Sequence, residues 1–320
     1  VLLVASVLFF AHELRHASSR RAAHIATALL LFSPAIVHSV FTVYRELLAV
    51  SAMLCLLACA LRLLRRRRMS DAVASGLACG ALILTYFSYV FLPFALLPLL
   101  FFLRVRWQHA VTLVLIPLAV TGALAMRNAR YMGDDVCLLP GCVRGSFAWY
   151  VRGQQVTTLT GLQPFACLWH EYVTLRVVSE MPECTVGQVM NKRWPDGFVG
   201  HEGEIRAEAA KGRRELLAHL PLYLWQSAVL VFEYHLPSMG GWGRTFNILE
   251  CLMTLVIYVG MLLCLRARLR KEHLIFALVV FYGAALFPLI DVVPRYRIPA
   301  LPAYAAIAAL GYAAWSKRKA

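Results

Sequence analysis

Uncharged apolar stretches alternate with short basic clusters along most of the chain. A continuous apolar run of about 17–25 residues is long enough to cross the hydrocarbon core of a bilayer as a helix. The runs do not alternate apolar and polar positions, as the strands of a membrane barrel would. The pattern therefore predicts an all-α polytopic membrane protein. Its apolar segments are 1–11, 22–39, 47–63, 71–86, 88–103, 109–126, 215–234, 246–265, 274–290 and 296–315.

The basic residues between these segments predict a topology, because Lys and Arg accumulate on the cytoplasmic side of a membrane. If every cluster is cytoplasmic, the first six segments alternate in direction and the sixth ends on the outer side near Arg127. Residues 127–214 then form an extracytoplasmic domain. The clusters are Arg15/Arg20/Arg21, Arg62/Arg65/Arg66/Arg67/Arg68, Arg104/Arg106, Arg266/Arg268/Arg270/Lys271 and Lys317/Arg318/Lys319.

The segment 215–234 decides the number of spans. If it crossed the membrane together with 246–265, the cluster that begins at Arg266 would lie outside, against the positive-inside rule. The segment also carries His219, Gln226 and Glu233, so we interpret it as a helix in the outer interface. About nine transmembrane helices remain; the alternative is that this segment spans and a later one does not. The expected divisions are 1–126, 127–214, 215–245 and 246–320.

Composition supports a membrane protein and argues against a nucleic-acid partner. The chain is 60% hydrophobic and only 15% charged, with a mean hydropathy of +0.66. The formal net charge of +15 comes from arginines at the ends of apolar segments, where topology anchors are expected. The chain opens inside an apolar stretch with neither an initiator Met nor a basic leader, so we expect a fragment that starts within a span.

Four of the nine cysteines lie in the predicted outer domain, and the other five lie within apolar segments. An even number of cysteines on an oxidising side favours two disulfides, with three possible pairings. Zinc is the alternative, although no nearby His pattern completes a ligand set. The disulfide candidates are Cys137, Cys142, Cys167 and Cys184.

Three polar clusters fall at the predicted outer ends of spans. Ionisable groups at membrane depth are costly and therefore indicate a functional site, although each arginine is equally compatible with an interfacial anchor. Arginines can bind a phosphate bidentately while an acid positions a hydroxyl, which suits chemistry on a lipid phosphate. No Gly-rich phosphate loop is present. The clusters are His38/Tyr44/Arg45/Glu46, Arg127/Asn128/Arg130/Asp134/Asp135 and Asp291/Arg295/Tyr296/Arg297.

Several motifs, in order along the chain, resemble those of the membrane-embedded C-type-fold glycosyltransferases related to protein O-mannosyltransferases and the lipid A aminoarabinose transferase. The first are "ATALLLFSPAIVHSVFTVYRELL" and the Gly/Ala-rich span "RRRRMSDAVASGLACGALILTYFSYVFLP". Later motifs are "MRNARYMG", "RAEAAKGRRELLAHLPLYLW" and "RYRIPALPAYAAIAALG". The resemblance implies transfer of a hexose or pentose from a polyprenyl-phosphate carrier to a hydroxyl of a lipid, glycan or protein. It places the active site on the periplasmic or exterior face of a bacterial cytoplasmic membrane.

The resemblance also implies roles for particular residues. Glu46 falls on the family's second acidic position, next to Tyr44 and Arg45, while the acid that usually serves as the base would precede Val1. Arg127 and Asn128 fall on its Arg-Asn pair. Arg295 and Arg297 fall on its phosphate-binding "RYR", with Asp291 as their expected local partner. Tyr86 replaces an arginine of relatives that read "LTRP", so a hydroxyl or an aromatic sugar platform is expected there.

Three other functions remain open at this stage. A glycan polymerase or ligase would use a pyrophosphate-linked glycan at a similar outer loop. A lipid or solute transporter would show inverted repeats and charged residues in the middle of spans, whereas here the polar residues lie at span ends. A non-enzymatic assembly subunit is the third. The resemblance assigns no certain cofactor and leaves a divalent metal open.

Overall fold

The computed structural model describes residues 1–41, 45–132, 202–235, 244–267, 270–290 and 294–319, and all regular structure in these ranges is helical. The prediction of an all-α protein is therefore confirmed for the described residues. The α-helices are α1 (Leu2–Ala17), α2 (Arg20–Leu31), α3 (Pro34–Phe41), α4 (Arg45–Arg66), α5 (Met69–Thr85), α6 (Leu92–Phe102), α7 (Trp107–Met132), α8 (Glu202–Ala218), α9 (Leu220–His235), α10 (Arg244–Leu265), α11 (Leu274–Ile290) and α12 (Leu301–Lys319). Short 3₁₀ helices occupy Phe87–Phe91, Lys271–His273 and Pro294–Ala300.

Helix ends follow local turn chemistry. The Ser19 hydroxyl accepts a hydrogen bond from the Ala22 amide at 3.1 Å and caps α2. Pro34 begins α3, because proline lacks the amide hydrogen that a continuing helix would need. The turns after α4 and α6 each contain an arginine in the left-handed region, Arg67 and Arg104, both with φ 56°.

Four of the described helices are long and apolar enough to cross a membrane. They are Glu46–Arg66, Trp107–Arg127, Ile248–Leu265 and Arg297–Lys317. A fifth candidate is the pair Arg20–Leu31 and Pro34–Val40, which is bent by 56° at the break. The prediction of about nine spans is not confirmed, since several other apolar helices of the described part, such as α5, are shorter.

The chain divides into two compact units, and the first of them contains most of the apolar helices. It comprises Val1–Gly122, Ile248–Gly283 and Arg297–Ala320. Within it α4 packs between α1 and α5, and α12 packs on α2. The apolar windows of α4 and α12 are each 78% buried, against 33% for α7 and 28% for α10. The first unit is therefore built around α4 and α12.

Direct contacts join the five predicted basic clusters at one end of the first unit. Each cluster contributes a side chain or a neighbouring residue to at least one of these contacts, so the clusters share a side, as the topology analysis expected. Which side of a membrane this end faces remains a prediction. The contacts are Arg65 Nη2–Glu13 Oε2 (2.6 Å), Arg67 Nη2–Leu103 O (2.9 Å), Arg270 Nη1–Ala17 O (3.1 Å), Arg21 Nη1–Ser316 Oγ (2.7 Å) and Lys271 Nζ–Phe102 ring centroid (5.8 Å).

Helices α10 and α12 meet backbone to backbone at Gly260 and Gly311. A Cβ atom on Gly260 would lie 2.6 Å from Tyr312 Cε2 and 2.8 Å from Ala308 Cβ. A Cβ atom on Gly311 would lie 2.6 Å from the Cys264 amide nitrogen and would overlap the Gly260 carbonyl oxygen. Small residues allow such close approach, which is the main source of helix–helix packing energy inside a bilayer.

Replacing Gly311 by alanine is therefore expected to force α10 and α12 apart. Overpacking of this kind costs about 2–3 kcal/mol, and the conflict here is with backbone atoms that cannot rotate away. The matched control is Gly122→Ala in α7, where an added Cβ meets nothing within 4 Å. We expect the control to be neutral or stabilising by up to about 1 kcal/mol. Thermal unfolding in detergent measures both, and equal stability of the two variants would contradict this packing.

The second unit comprises Ala123–Asn247 and Ala284–Tyr296. In it α8 and α9 pack around Leu216 and Tyr223, with Leu222 against them. The segment 215–234, predicted as one helix, is divided at His219, because Pro221 favours the start of a new helix over the continuation of the old one. Among the described helices, α9 is not one of the candidate spans.

Candidate functional site

Glu46 and Tyr86, two residues singled out from the sequence, are in direct contact. Glu46 lies in the first turn of α4 and is 3% exposed; Tyr86 follows the last residue of α5 and is 4% exposed. The Tyr86 hydroxyl donates to Glu46 Oε1 at 2.9 Å. The other carboxylate oxygen, Oε2, is shielded from solvent and has no hydrogen-bond partner in the described part of the chain. Within the described ranges this buried acceptor is therefore unsatisfied.

Further tyrosines extend from Tyr86 into the first unit. The Tyr86 and Tyr89 rings meet edge to face at 6.4 Å, and the Tyr89 ring stacks on Tyr282 at 5.7 Å. The Tyr282 hydroxyl donates to the Ser88 carbonyl oxygen at 2.6 Å. Tyr86, which binds the Glu46 carboxylate, is therefore part of a packed aromatic cluster.

A second polar cluster surrounds Arg297. Its Nη2 atom lies 3.1 Å from Glu250 Oε1 and 3.1 Å from the Thr254 hydroxyl, and its Nη1 atom lies 3.2 Å from the Tyr258 hydroxyl. Arg297 is 5% exposed and Glu250 is 2% exposed. The second Glu250 oxygen accepts from the Ala35 amide at 3.3 Å. A buried charge pair of this kind is tolerated only when its hydrogen bonds are satisfied, as they are here.

Both clusters lie at the end of the first unit opposite the basic clusters. Helix α4 runs from Glu46 to the paired Arg65, and α5 runs back from the basic turn to Tyr86. Likewise α10 carries Glu250 near its start and ends next to Arg266, while α12 follows Arg297 and ends in basic residues. At 1.5 Å per residue the 22 residues of α4 separate its ends by about 33 Å.

The structure gives Arg297 a partner that the sequence did not predict, Glu250 of another helix, 47 residues earlier in the chain. The predicted local partner, Asp291, lies outside the described residues, so that pairing stays a prediction. The guanidinium is consequently held inside the unit. To bind a carrier phosphate directly, Arg297 would have to break its contacts with Glu250, Thr254 and Tyr258.

Most of the other predicted site residues lie outside the described part. Tyr44 and Asp291 are in this group, as are the disulfide candidates Cys137, Cys142, Cys167 and Cys184. The backbone is described for Arg45, Asn128 and Arg295, but not the environment of their side chains. Arg127 is exposed near the end of α7 and belongs to the second unit. Their proposed roles remain predictions.

Metal-binding groups do not converge among the described residues. No three His, Cys, Asp or Glu side chains there come close enough to hold a metal ion. The cysteines of the described ranges, Cys55, Cys59, Cys79, Cys251 and Cys264, are free thiols.

Sequence reasoning missed Glu250, Thr254 and Tyr258. They occupy positions i, i+4 and i+8 of α10, so they share one face of that helix. This spacing of polar residues within an apolar segment could have been noticed, because a polar stripe on a membrane helix faces a partner rather than lipid. Their partner, 39 to 47 residues further along the chain, could not have been identified in this way.

No protein-family model matches this chain, and no curated protein matches it significantly in sequence. The class of the protein therefore rests on its own fold and site. The part of the chain that the structure describes is all-helical, with four to five apolar helices that could span a membrane, and it holds the buried Glu46 and Glu250 carboxylates at one end of a helical unit.

Proposed function

We propose that this protein is a membrane-embedded glycosyltransferase that moves a sugar from a polyprenyl-phosphate carrier to a hydroxyl acceptor. The observation that carries the proposal is the buried Glu46 carboxylate, with Tyr86 on one oxygen and no partner on the other within the described part of the chain. A buried carboxylate oxygen without a partner is costly, and its retention suggests a ligand that supplies the missing donor. A substrate hydroxyl is the simplest such donor.

The position of the site suits a lipid-linked donor. Glu46 lies in the first turn of a candidate span, at the end remote from the five basic clusters. A carrier lipid would keep its chain in the bilayer and bring its phosphate and sugar to this level. If the basic clusters face the cytoplasm, the site faces the exterior or the periplasm, where nucleotide-sugars are absent. The polar residues at span ends favour surface chemistry over the translocation that a transporter performs.

The proposed reaction is a direct displacement at the anomeric carbon. The acceptor oxygen forms the new bond to that carbon, while the bond from carbon to the carrier phosphate oxygen breaks and its electron pair leaves with the phosphate. The acceptor proton passes to a carboxylate, and in this proposal Glu46 accepts it. Positive charge near the phosphate would offset the charge that develops on the leaving group.

The arginines divide into two roles in this proposal. Arg297, held by Glu250, Thr254 and Tyr258, positions the 3₁₀ turn Pro294–Ala300. Arg295 lies in the same turn, two residues earlier, and we assign to it the contact with the phosphate. The donor contacts that the resemblance implied for Arg127 and Asn128, residues of the second unit, stay predictions. A rigid support of this kind keeps a binding side chain in its productive position.

An assay with labelled lipid-linked sugars tests the proposal. Membranes containing the full-length protein are incubated with a polyprenyl-phosphate sugar, a polyprenyl-pyrophosphate glycan or a nucleotide-sugar. We expect label to move to an acceptor only from the polyprenyl-phosphate sugar. If only the pyrophosphate-linked glycan is consumed, the protein is a glycan polymerase or ligase instead. If label enters sealed vesicles without covalent transfer, the protein is a transporter instead.

A further inference from the structure

Four arginines at the basic end of the first unit have no partner among the described residues. Arg66 and Arg68 flank the turn between α4 and α5, and Arg104 and Arg106 lie in the turn between α6 and α7. All four are exposed, and their side chains make no ion pair or hydrogen bond with the described part of the chain. The two turns therefore carry four uncompensated positive charges.

The arginines one turn earlier in α4 behave differently. Arg62 pairs with Asp71 at 2.9 Å, and Arg65 pairs with Glu13 at 2.6 Å; both acids are almost fully buried. The two arginines on the packed part of α4 therefore have acidic partners. Among the described residues, the four exposed arginines of the turns do not. The positive-inside rule accounts for basic turns, but it does not by itself explain this division into paired and unpaired arginines.

Arg67 joins the two turns. Its Nη2 atom donates to the Leu103 carbonyl oxygen at 2.9 Å, while its Nη1 atom is shielded from solvent and has no acceptor within the described ranges. Arg67 and Arg104 both adopt a φ of 56°, which costs a non-glycine residue about 1 kcal/mol or more. A glycine would avoid this cost. Arginine at both positions therefore indicates that the positive charge is needed for binding.

Large apolar side chains border the four arginines. Phe101 and Phe102 end α6 and are 48% and 62% exposed, and Trp107 begins α7 and is 65% exposed. Lys271 adds a cation 5.8 Å from the centre of the Phe102 ring. Exposed aromatics next to basic residues are typical of the level at which lipid headgroups meet acyl chains. A soluble polyanion would contact the charges and leave this apolar border unused.

We propose that the turns 66–68 and 103–106 together bind the phosphate headgroup of an anionic phospholipid. Arg66, Arg68, Arg104 and Arg106 contact the phosphate oxygens, and the acyl chains pack on Phe101, Phe102 and Trp107. The site is separate from Glu46, so it does not depend on the proposed sugar transfer. We therefore expect binding at this site to require both the negative charge and the acyl chains of the lipid.

Lipid binding to the purified full-length protein in detergent tests this site. Binding of phosphatidylglycerol, phosphatidylcholine and inorganic phosphate is measured by native mass spectrometry. The variants are Arg66→Gln/Arg68→Gln and Arg104→Gln/Arg106→Gln, and the control is Arg213→Gln/Arg214→Gln, which removes two exposed arginines from α8. We expect each turn variant to lose about 10- to 30-fold in affinity for phosphatidylglycerol, and the control to lose less than about threefold.

Other results of the same measurements would contradict the proposed lipid site. Unchanged phosphatidylglycerol affinity in both turn variants overturns the site, as does an equal loss in the Arg213/Arg214 control. Binding of inorganic phosphate as tight as that of phosphatidylglycerol overturns the assignment to a lipid. Because the four side chains have no partners to lose, all variants should unfold at the wild-type temperature in the absence of anionic lipid. This comparison separates lost binding from lost folding.

Discussion

Replacing Glu46 by glutamine is expected to lower sugar transfer about 10²- to 10³-fold while the protein stays folded. Glutamine has the shape of glutamate and still offers an oxygen to the Tyr86 hydroxyl, so the packing around the 2.9 Å hydrogen bond is retained. At the position of Oε2, however, an NH₂ donor replaces an acceptor. A substrate hydroxyl would then face a donor and could not deliver its proton. The initial rate of transfer from a polyprenyl-phosphate sugar measures the loss.

The control for this variant is Asp71→Asn. Asp71 is also a buried carboxylate of the α4–α5 pair, but it lies at the basic end and is held by Arg62 at 2.9 Å. We expect Asp71→Asn to lower the unfolding temperature slightly and to keep its activity per folded molecule. If Glu46→Gln retains wild-type turnover, Glu46 has no part in the chemistry. If both variants lose activity in parallel, the effect is one of stability, and the site assignment fails.

Replacing Arg297 by methionine is expected to destabilise the protein by about 3–5 kcal/mol, because it leaves Glu250 buried without its counter-charge. The Glu250 side chain is only 2% exposed, so water cannot take the place of the guanidinium. The double variant Glu250→Leu/Arg297→Met removes both charges, and we expect it to recover more than half of the loss. A double-mutant cycle on thermal or denaturant unfolding in detergent gives the coupling between the two residues.

An exposed arginine provides the comparison for this cycle. Arg270 donates to the Ala17 carbonyl oxygen from the surface, and Arg270→Met should cost less than about 0.5 kcal/mol. The double variant also separates the two roles considered for Arg297. If it is folded and transfers sugar at more than a tenth of the wild-type rate, Arg297 positions its turn, as we propose. If it is folded and inactive, Arg297 must reach the substrate itself.

The apolar pattern predicted most helices of the described part to within a few residues, because burial in hydrocarbon or in a helix bundle needs long uncharged runs. The exceptions have physical causes. Helix α1 continues to Ala17 rather than ending near residue 11, since Glu13 is buried and neutralised by Arg65. A hydropathy pattern places the end of the apolar helix before such a glutamate, because it treats every charged residue as exposed. The segment 22–39 is broken because Pro34 cannot extend α2.

The candidate site was predicted only in part. The sequence singled out Glu46 and Tyr86 separately, and the structure brings them together across 40 residues of chain. It also singled out Arg297 but did not identify Glu250 as its partner, because proximity in sequence favours Asp291, which lies outside the described residues. Glu250 was overlooked because a single acid near the start of an apolar helix resembles an ordinary interfacial residue. Such pairs depend on how each helix is rotated about its axis, which composition does not reveal.

The sequence by itself determined the helical class, the approximate ends of the apolar helices and the placement of the basic clusters at their ends. These features follow from local properties, namely hydropathy over a span length and the chemistry of turns. Only the tertiary structure decided which charges are used internally and which remain available. Among the described residues, Arg297 and Arg65 are paired with carboxylates, Arg66, Arg68, Arg104 and Arg106 are not, and one oxygen of Glu46 lacks a donor. These differences arise from packing between helices distant in sequence, where the cost of burying an unpaired charge selects the partner.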